Sequence, residues 1–147
     1  MHEVSFEEAL AKIAVKDQRY QPEAYLFVRE ALDHTQKTIA KDARGRIRHV
    51  TGQELLTGIR EFALQQFGPM TKMVLEEWGV RCCSDFGEIV FNMVEVNWLA
   101  KTEKDSRADF LNGYDFDEAF CKPFLPKSKQ TVQSPLAKPV QSPKAKL

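Results

Sequence analysis

Apolar residues return every three or four positions along most of the first hundred residues, and the breaks in that rhythm divide the stretch into five helices. Phe6, Leu10, Ile13 and Ala14 form the first stripe, and Ser5 with Glu8 precedes it. A hydroxyl and a carboxylate at that spacing each satisfy a free backbone N–H of a helix start, which predicts a first helix from Ser5 to Val15. Pro22 suits the first turn of a second helix. Its stripe of Tyr25, Val28, Leu32 and Ile39, widened by Phe27 and Ala31, runs until Gly45 breaks it. Thr51 and Glu54 repeat the start signal, and Leu55, Ile59, Phe62 and Ala63 predict a third helix ending near Phe67 and Gly68. Pro69 restarts a fourth at once, with Met70, Met73, Val74 and Trp78 on one side and Gly79 as its stop. Ser84 reads as the cap of a fifth helix carrying Phe86, Ile89, Val90, Phe91, Met93, Val94, Val96 and Trp98. Apolar nearly all round, that helix belongs in the middle of the core.

Beyond Trp98 the pattern changes. The polar centre from Glu103 to Ser106 lies between two short mixed segments and reads as a small β-hairpin. Asn112 and Gly113 offer an alternative turn, pairing Phe110 and Leu111 with Tyr114 and Asp115. Asp115 to Phe120 gives a last helical turn, and Pro123 with Pro126 ends the ordered chain. The fold class expected is mainly α: five helices plus a small hairpin, in the manner of a winged helix extended by two N-terminal helices. The domain spans residues 1–125. Residues 126–147 are expected to form a disordered basic tail, because they offer only Val132, Leu136, Val140 and Leu147 among Lys, Ser, Gln and Pro.

Charge alters this picture. The 21 basic and 21 acidic residues balance over the whole chain, but the tail carries five lysines and no acid, so the body has an equal surplus of acid. No stretch approaches the roughly eighteen apolar residues that span a membrane. The N-terminal segment is acidic early and lacks the apolar run of a signal peptide. Three cysteines, two of them adjacent, make neither an even disulfide framework nor a metal spacing. A soluble cytoplasmic protein without membrane contact is expected.

The segments YLFVREALDHTQK, RHVTGQELLTGIREFALQQFGPM, DFGEIVFNMVE, KTEKDSRADF and YDFDEAF resemble the small uncharacterised proteins known from planctomycetes and verrucomicrobia. The resemblance covers roughly residues 6 to 126. It implies membership of a family but brings no activity, cofactor or site with it.

Candidate chemistry is sparse. On the fifth helix Glu88, Asn92 and Glu95 fall on one stripe, with Asp85 at its start. In a winged helix such a face enters the major groove. Here its charge opposes a duplex that carries one phosphate per about 1.7 Å of axis, so the stripe is expected to be solvated or to face a protein partner. The strongest cationic feature of the body is the segment from Lys41 to His49, whose Arg44, Arg46 and Arg48 have the fork geometry that grips phosphate. With the tail lysines they make weak, salt-sensitive contact with nucleic acid the alternative function. His34 beside Asp33, together with His49, would make an Asp-His or two-His site if the helices met, although the spacing matches no metal motif. Cys82 and Cys83 near a helix start, beside Arg81, are the best nucleophiles in the chain, yet they lack a histidine nearby in sequence and read more simply as small apolar residues. TGQELLTG lacks the ending of a phosphate-binding loop. No cofactor is expected. The sequence reads as a non-enzymatic protein-interaction module using the fifth helix's acidic stripe or the surface beside it.

Overall fold

The computed structural model describes residues 5–42, 49–103 and 105–126. Arg44, Arg46, Arg48 and the tail from residue 127 lie outside the described residues. Helix α1 (Phe6–Lys16) opens with the reciprocal Ser5 and Glu8 cap, and α2 (Pro22–Asp42) opens at Pro22. The second reciprocal cap, Thr51 with Glu54, starts α3 (Gly52–Phe67). A single 3₁₀ turn (Gly68–Met70) leads into α4 (Thr71–Glu77). At this corner the Thr71 hydroxyl donates to the carbonyls of Gly68 and Ala63, satisfying oxygens that the end of α3 would otherwise leave bare.

Helix α5 (Cys83–Glu95) begins earlier than its sequence predicts. Asp85, rather than Ser84, closes the start: its Oδ2 accepts the N–H groups of Arg81 and Cys82. The same carboxylate accepts a hydrogen bond from the Tyr20 hydroxyl at 2.6 Å, so a residue preceding α2 fixes where α5 starts. The helix ends when Asn97 turns to a φ of 66°, and the N–H groups of Trp98 and Leu99 return to the Met93 carbonyl, in the manner of left-handed helix caps.

The predicted hairpin and winged-helix architecture are corrected by the structure: no strand occurs among the described residues. The polar centre that reads as a turn between strands is occupied with its own backbone. Asp105 Oδ2 accepts from the N–H and hydroxyl of Thr102. Ser106 and Asp109 cap each other reciprocally at the start of a 3₁₀ turn (Arg107–Phe110). Side chains that bond to neighbouring N–H groups give the backbone an alternative to a ladder. The second proposed hairpin is also absent, because Gly113 packs on Cys83 and Leu56 while the Tyr114 hydroxyl donates to the Leu56 carbonyl. The chain then closes with a π turn (Asp117–Cys121) and a 3₁₀ turn (Lys122–Phe124).

Tyr25, Ile13, Ile59, Leu75, Phe86, Ile89, Met93 and Phe120 are all but removed from water, which places α5 centrally with α1, α2 and α3 around it. Two glycines set close approaches. A Cβ on Gly58 would come within 1.7 Å of Thr35 Oγ1, so the Thr35 side chain of α2 fills the space that the glycine leaves on α3. Gly79, at a φ of 93°, lies so close to the Arg19 carbonyl that a Cβ would meet it at 2.3 Å. That contact and the Gln21 N–H bond to the Trp78 carbonyl fasten the α1–α2 connection to the end of α4. No helix among the described residues is long and apolar enough to cross a membrane.

Candidate functional site

The three stripe residues of α5 have different surroundings. Asn92 is buried, and its Nδ2 donates to Asp17 Oδ2 and to the Tyr25 hydroxyl, both at 2.9 Å. It therefore does not share a solvent-facing stripe with its neighbours. Glu88 accepts from Arg19 at 3.2 Å and faces Arg107 at 3.3 Å. Glu95 pairs with Lys16 and, at 3.2 Å, with Arg107. Three cations from three separate segments thus meet the stripe, and Arg107 also lies 5.0 Å from the centre of the Phe91 ring.

Asp17 is the hub of this network. It follows α1 and accepts two bonds from the Arg19 guanidinium, at 2.9 and 2.7 Å, and one from the Arg19 N–H. The Arg19 side chain holds the Asp17 carboxyl well below the usual carboxylate range; burial opposes this, and the Asn92 amide adds to it. Glu95 is also lowered, by Lys16 and then Arg107. These carboxylates stay ionised and bind α1, the α1–α2 connection and the Arg107–Phe110 turn to α5. Sequence reading misses the hub because its members are 75 positions apart. The available signal is Asn92 itself, a polar residue between Phe91 and Met93 in an otherwise apolar run: a buried amide requires partners.

On the adjoining face of α5 lies a cavity of about 270 Å³. Leu32 of α2, Leu55 of α3, Val90 and Val94 of α5, Leu99 and Phe110 form its apolar walls. His49, Lys101, Asp105 and Asp109 stand among its polar lining. His49 Nε2 meets Asp105 Oδ2 at 2.6 Å. Burial disfavours the Asp105 anion, but the Thr102 N–H and His49 outweigh it and hold the carboxyl below its ordinary value, so the proton of that bond resides on Nε2.

The other candidates do not assemble into one centre. Asp33 is engaged by Lys37 at 2.9 Å, while His34 lies against Phe62 and 3.7 Å from Glu61 Oε1. His34 and His49 therefore have separate partners. Cys82 is exposed and its Sγ contacts the Ser84 hydroxyl at 3.0 Å. Cys83 is buried, its thiol donates to the Tyr114 carbonyl, and burial pushes it up to about 11. Among the described residues no group of three His, Cys, Asp or Glu side chains is arranged to hold a metal ion.

A further surface lies where α2, α3 and α4 meet. Buried Phe27 is ringed by Phe62, Phe67 and Trp78 at 5.6 to 5.7 Å between centroids, and these three outer rings are half-buried. Met70 and Met73, three residues apart on the corner that continues from Phe67, are 49% and 60% exposed. Of the four residues that the sequence places on one side of this helix, the two methionines are thus exposed, while Val74 and Trp78 are half-buried. No family model, curated protein or solved structure matches this chain.

Proposed function

We propose that this protein is a non-enzymatic protein-interaction module acting in the cytoplasm, and that its docking surface is the aromatic and methionine corner of α3 and α4. The observation that carries this reading is the exposure of Met70 and Met73 beside the half-buried Phe67 and Trp78 rings. Aromatic residues and methionine are the side chains enriched where proteins meet, and methionine's flexible thioether adapts to varied apolar partners. Glu61 and Glu77, both exposed on these helices, favour a partner segment with large aliphatic side chains and basic flanks. The two glutamates of the acidic stripe are paired with cations of α1, the α1–α2 connection and the Arg107 turn. A partner gripping Glu88 and Glu95 would have to displace Lys16, Arg19 and Arg107.

The alternative, phosphate contact through Arg44, Arg46, Arg48 and the tail, depends on residues outside the described ones. Among the described residues Lys16, Arg19, Lys72 and Arg107 are already engaged by carboxylates.

Affinity capture from native extract with the full chain, followed by site-specific photo-crosslinking from position 73, tests the reading. Met70→Glu with Met73→Glu is expected to abolish capture of the crosslinked protein while helical circular dichroism is kept. Glu88→Gln with Glu95→Gln is expected to retain it. Capture lost only in the glutamine variant would move the docking surface to the stripe, and the absence of any protein crosslinked from position 73 would refute the proposal.

A further inference from the structure

We infer that the cavity beside α5 is a binding site for a small apolar amine, independent of the docking corner. Its volume, about 270 Å³, falls below the roughly 300–1,000 Å³ of pockets that hold drug-sized ligands. At about 30 Å³ for each water-sized unit it accepts on the order of ten heavy atoms. A nucleotide or flavin is too large, whereas one aromatic ring or a short branched chain with a single polar head fits. Leu32, Leu55, Val90, Val94, Leu99 and Phe110 supply apolar walls for such a body.

The head group is selected by the two aspartates. Asp105 is only 17% exposed, and among the described residues its Oδ2 takes three hydrogen bonds, from the Thr102 N–H, the Thr102 hydroxyl and His49 Nε2. Its Oδ1 accepts none among the described residues. Asp109 is in the same condition, with Oδ2 accepting from the Ser106 N–H and no such bond at Oδ1 among the described residues. An ionised carboxylate has room for about four hydrogen bonds, so both side chains retain acceptor capacity at the cavity.

An ammonium group, with three donors and a positive charge, meets that capacity. A carboxylate head would face two anions, and an alcohol would gain hydrogen bonds without charge. Lys101 opposes the amine, but its side chain is exposed and its field is screened by water, whereas Asp105 acts from a site largely removed from solvent. His49 has already committed its Nε2 proton to Asp105. The order of affinity is therefore amine, then alcohol, then carboxylate.

The probes are 2-phenylethylamine, 2-phenylethanol and 3-phenylpropionate, titrated to about 10 mM into the full chain while methyl resonances are followed by NMR. A compact ligand of this size is expected to bind with a Kd of about a millimolar. The amine should shift the Val90, Val94 and Leu99 methyls saturably, at least about tenfold more tightly than the carboxylate. Asp105→Asn should weaken the amine about tenfold and leave the alcohol unchanged, and Lys101→Ala should tighten the amine. Ala100→Trp, a bulky change at an exposed lining position, should abolish all three responses. Should Asp105→Asn fail to fold, the selectivity series on the unaltered chain still decides. The inference is overturned if the carboxylate binds as tightly as the amine, if the amine's shifts fall away from the cavity, or if the amine gives no saturable shift.

Discussion

Replacing Asn92 by alanine measures directly whether the middle of the acidic stripe is surface or interior. The amide makes one hydrogen bond to an ionised carboxylate, Asp17, and one to a neutral hydroxyl, Tyr25. Bonds to charged groups contribute about 1.5–3 kcal/mol net and neutral ones about 1 kcal/mol, so Asn92→Ala should cost about 2.5–4 kcal/mol. At about 4 °C per kcal/mol for a domain of this size, the midpoint of thermal unfolding falls by about 10–16 °C. Asn92→Asp keeps the shape but sets a second carboxylate against Asp17, and should cost at least as much. Glu95→Gln is the comparison: its ion pairs with Lys16 and Arg107 join half-exposed side chains and contribute about 1 kcal/mol or less. Urea and thermal unfolding followed by circular dichroism give both values. A loss for Asn92→Ala below about 0.5 kcal/mol, no larger than that for Glu95→Gln, would show that the amide is solvated and that the hub does not hold α1 to α5.

Gly58→Ala should destabilise by about 1–3 kcal/mol, because the added Cβ would sit 1.7 Å from Thr35 Oγ1; combining it with Thr35→Ala should recover part of that loss in a double-mutant cycle. Asp17 and Asp105 are held below the ordinary carboxylate range in the folded chain, so the unfolded chain binds more protons in acid. Their stabilisation is complete above about pH 4 and is lost as pH falls below it; urea midpoints between about pH 7 and pH 2 should show this fall, and Asp17→Asn should flatten it. Alkylation near pH 8 should label exposed Cys82 first, and Cys83 only under denaturant, since its thiol is buried and pushed up to about 11. Deleting residues 128–147 should leave the thermal midpoint nearly unchanged, because that segment has no apolar period with which to bury surface; a drop of several degrees would show that it packs on the body.

Local signals in the sequence determine the helices well. The reciprocal caps at Ser5 and Thr51, the proline at the start of α2 and the abrupt corner at Gly68 and Pro69 each act within one turn of chain, and a bond between residues three apart requires nothing from the rest of the molecule. The apolar run of α5 likewise determines its central burial, Phe91 and Met93 included. Tertiary structure decided the rest. The start of α5 moved because Asp85 is bonded to Tyr20, 65 positions away. The hairpin gave way where Asp105, Ser106 and Asp109 capped the backbone and His49 arrived from the segment before α3. Asn92 and the two glutamates lie at helical spacing in sequence, yet only packing against Asp17, Tyr25 and three cations separates a buried amide from paired surface acids. A 3.6-residue period reports which positions share a face, whereas the partners on that face come from chain brought together by burial.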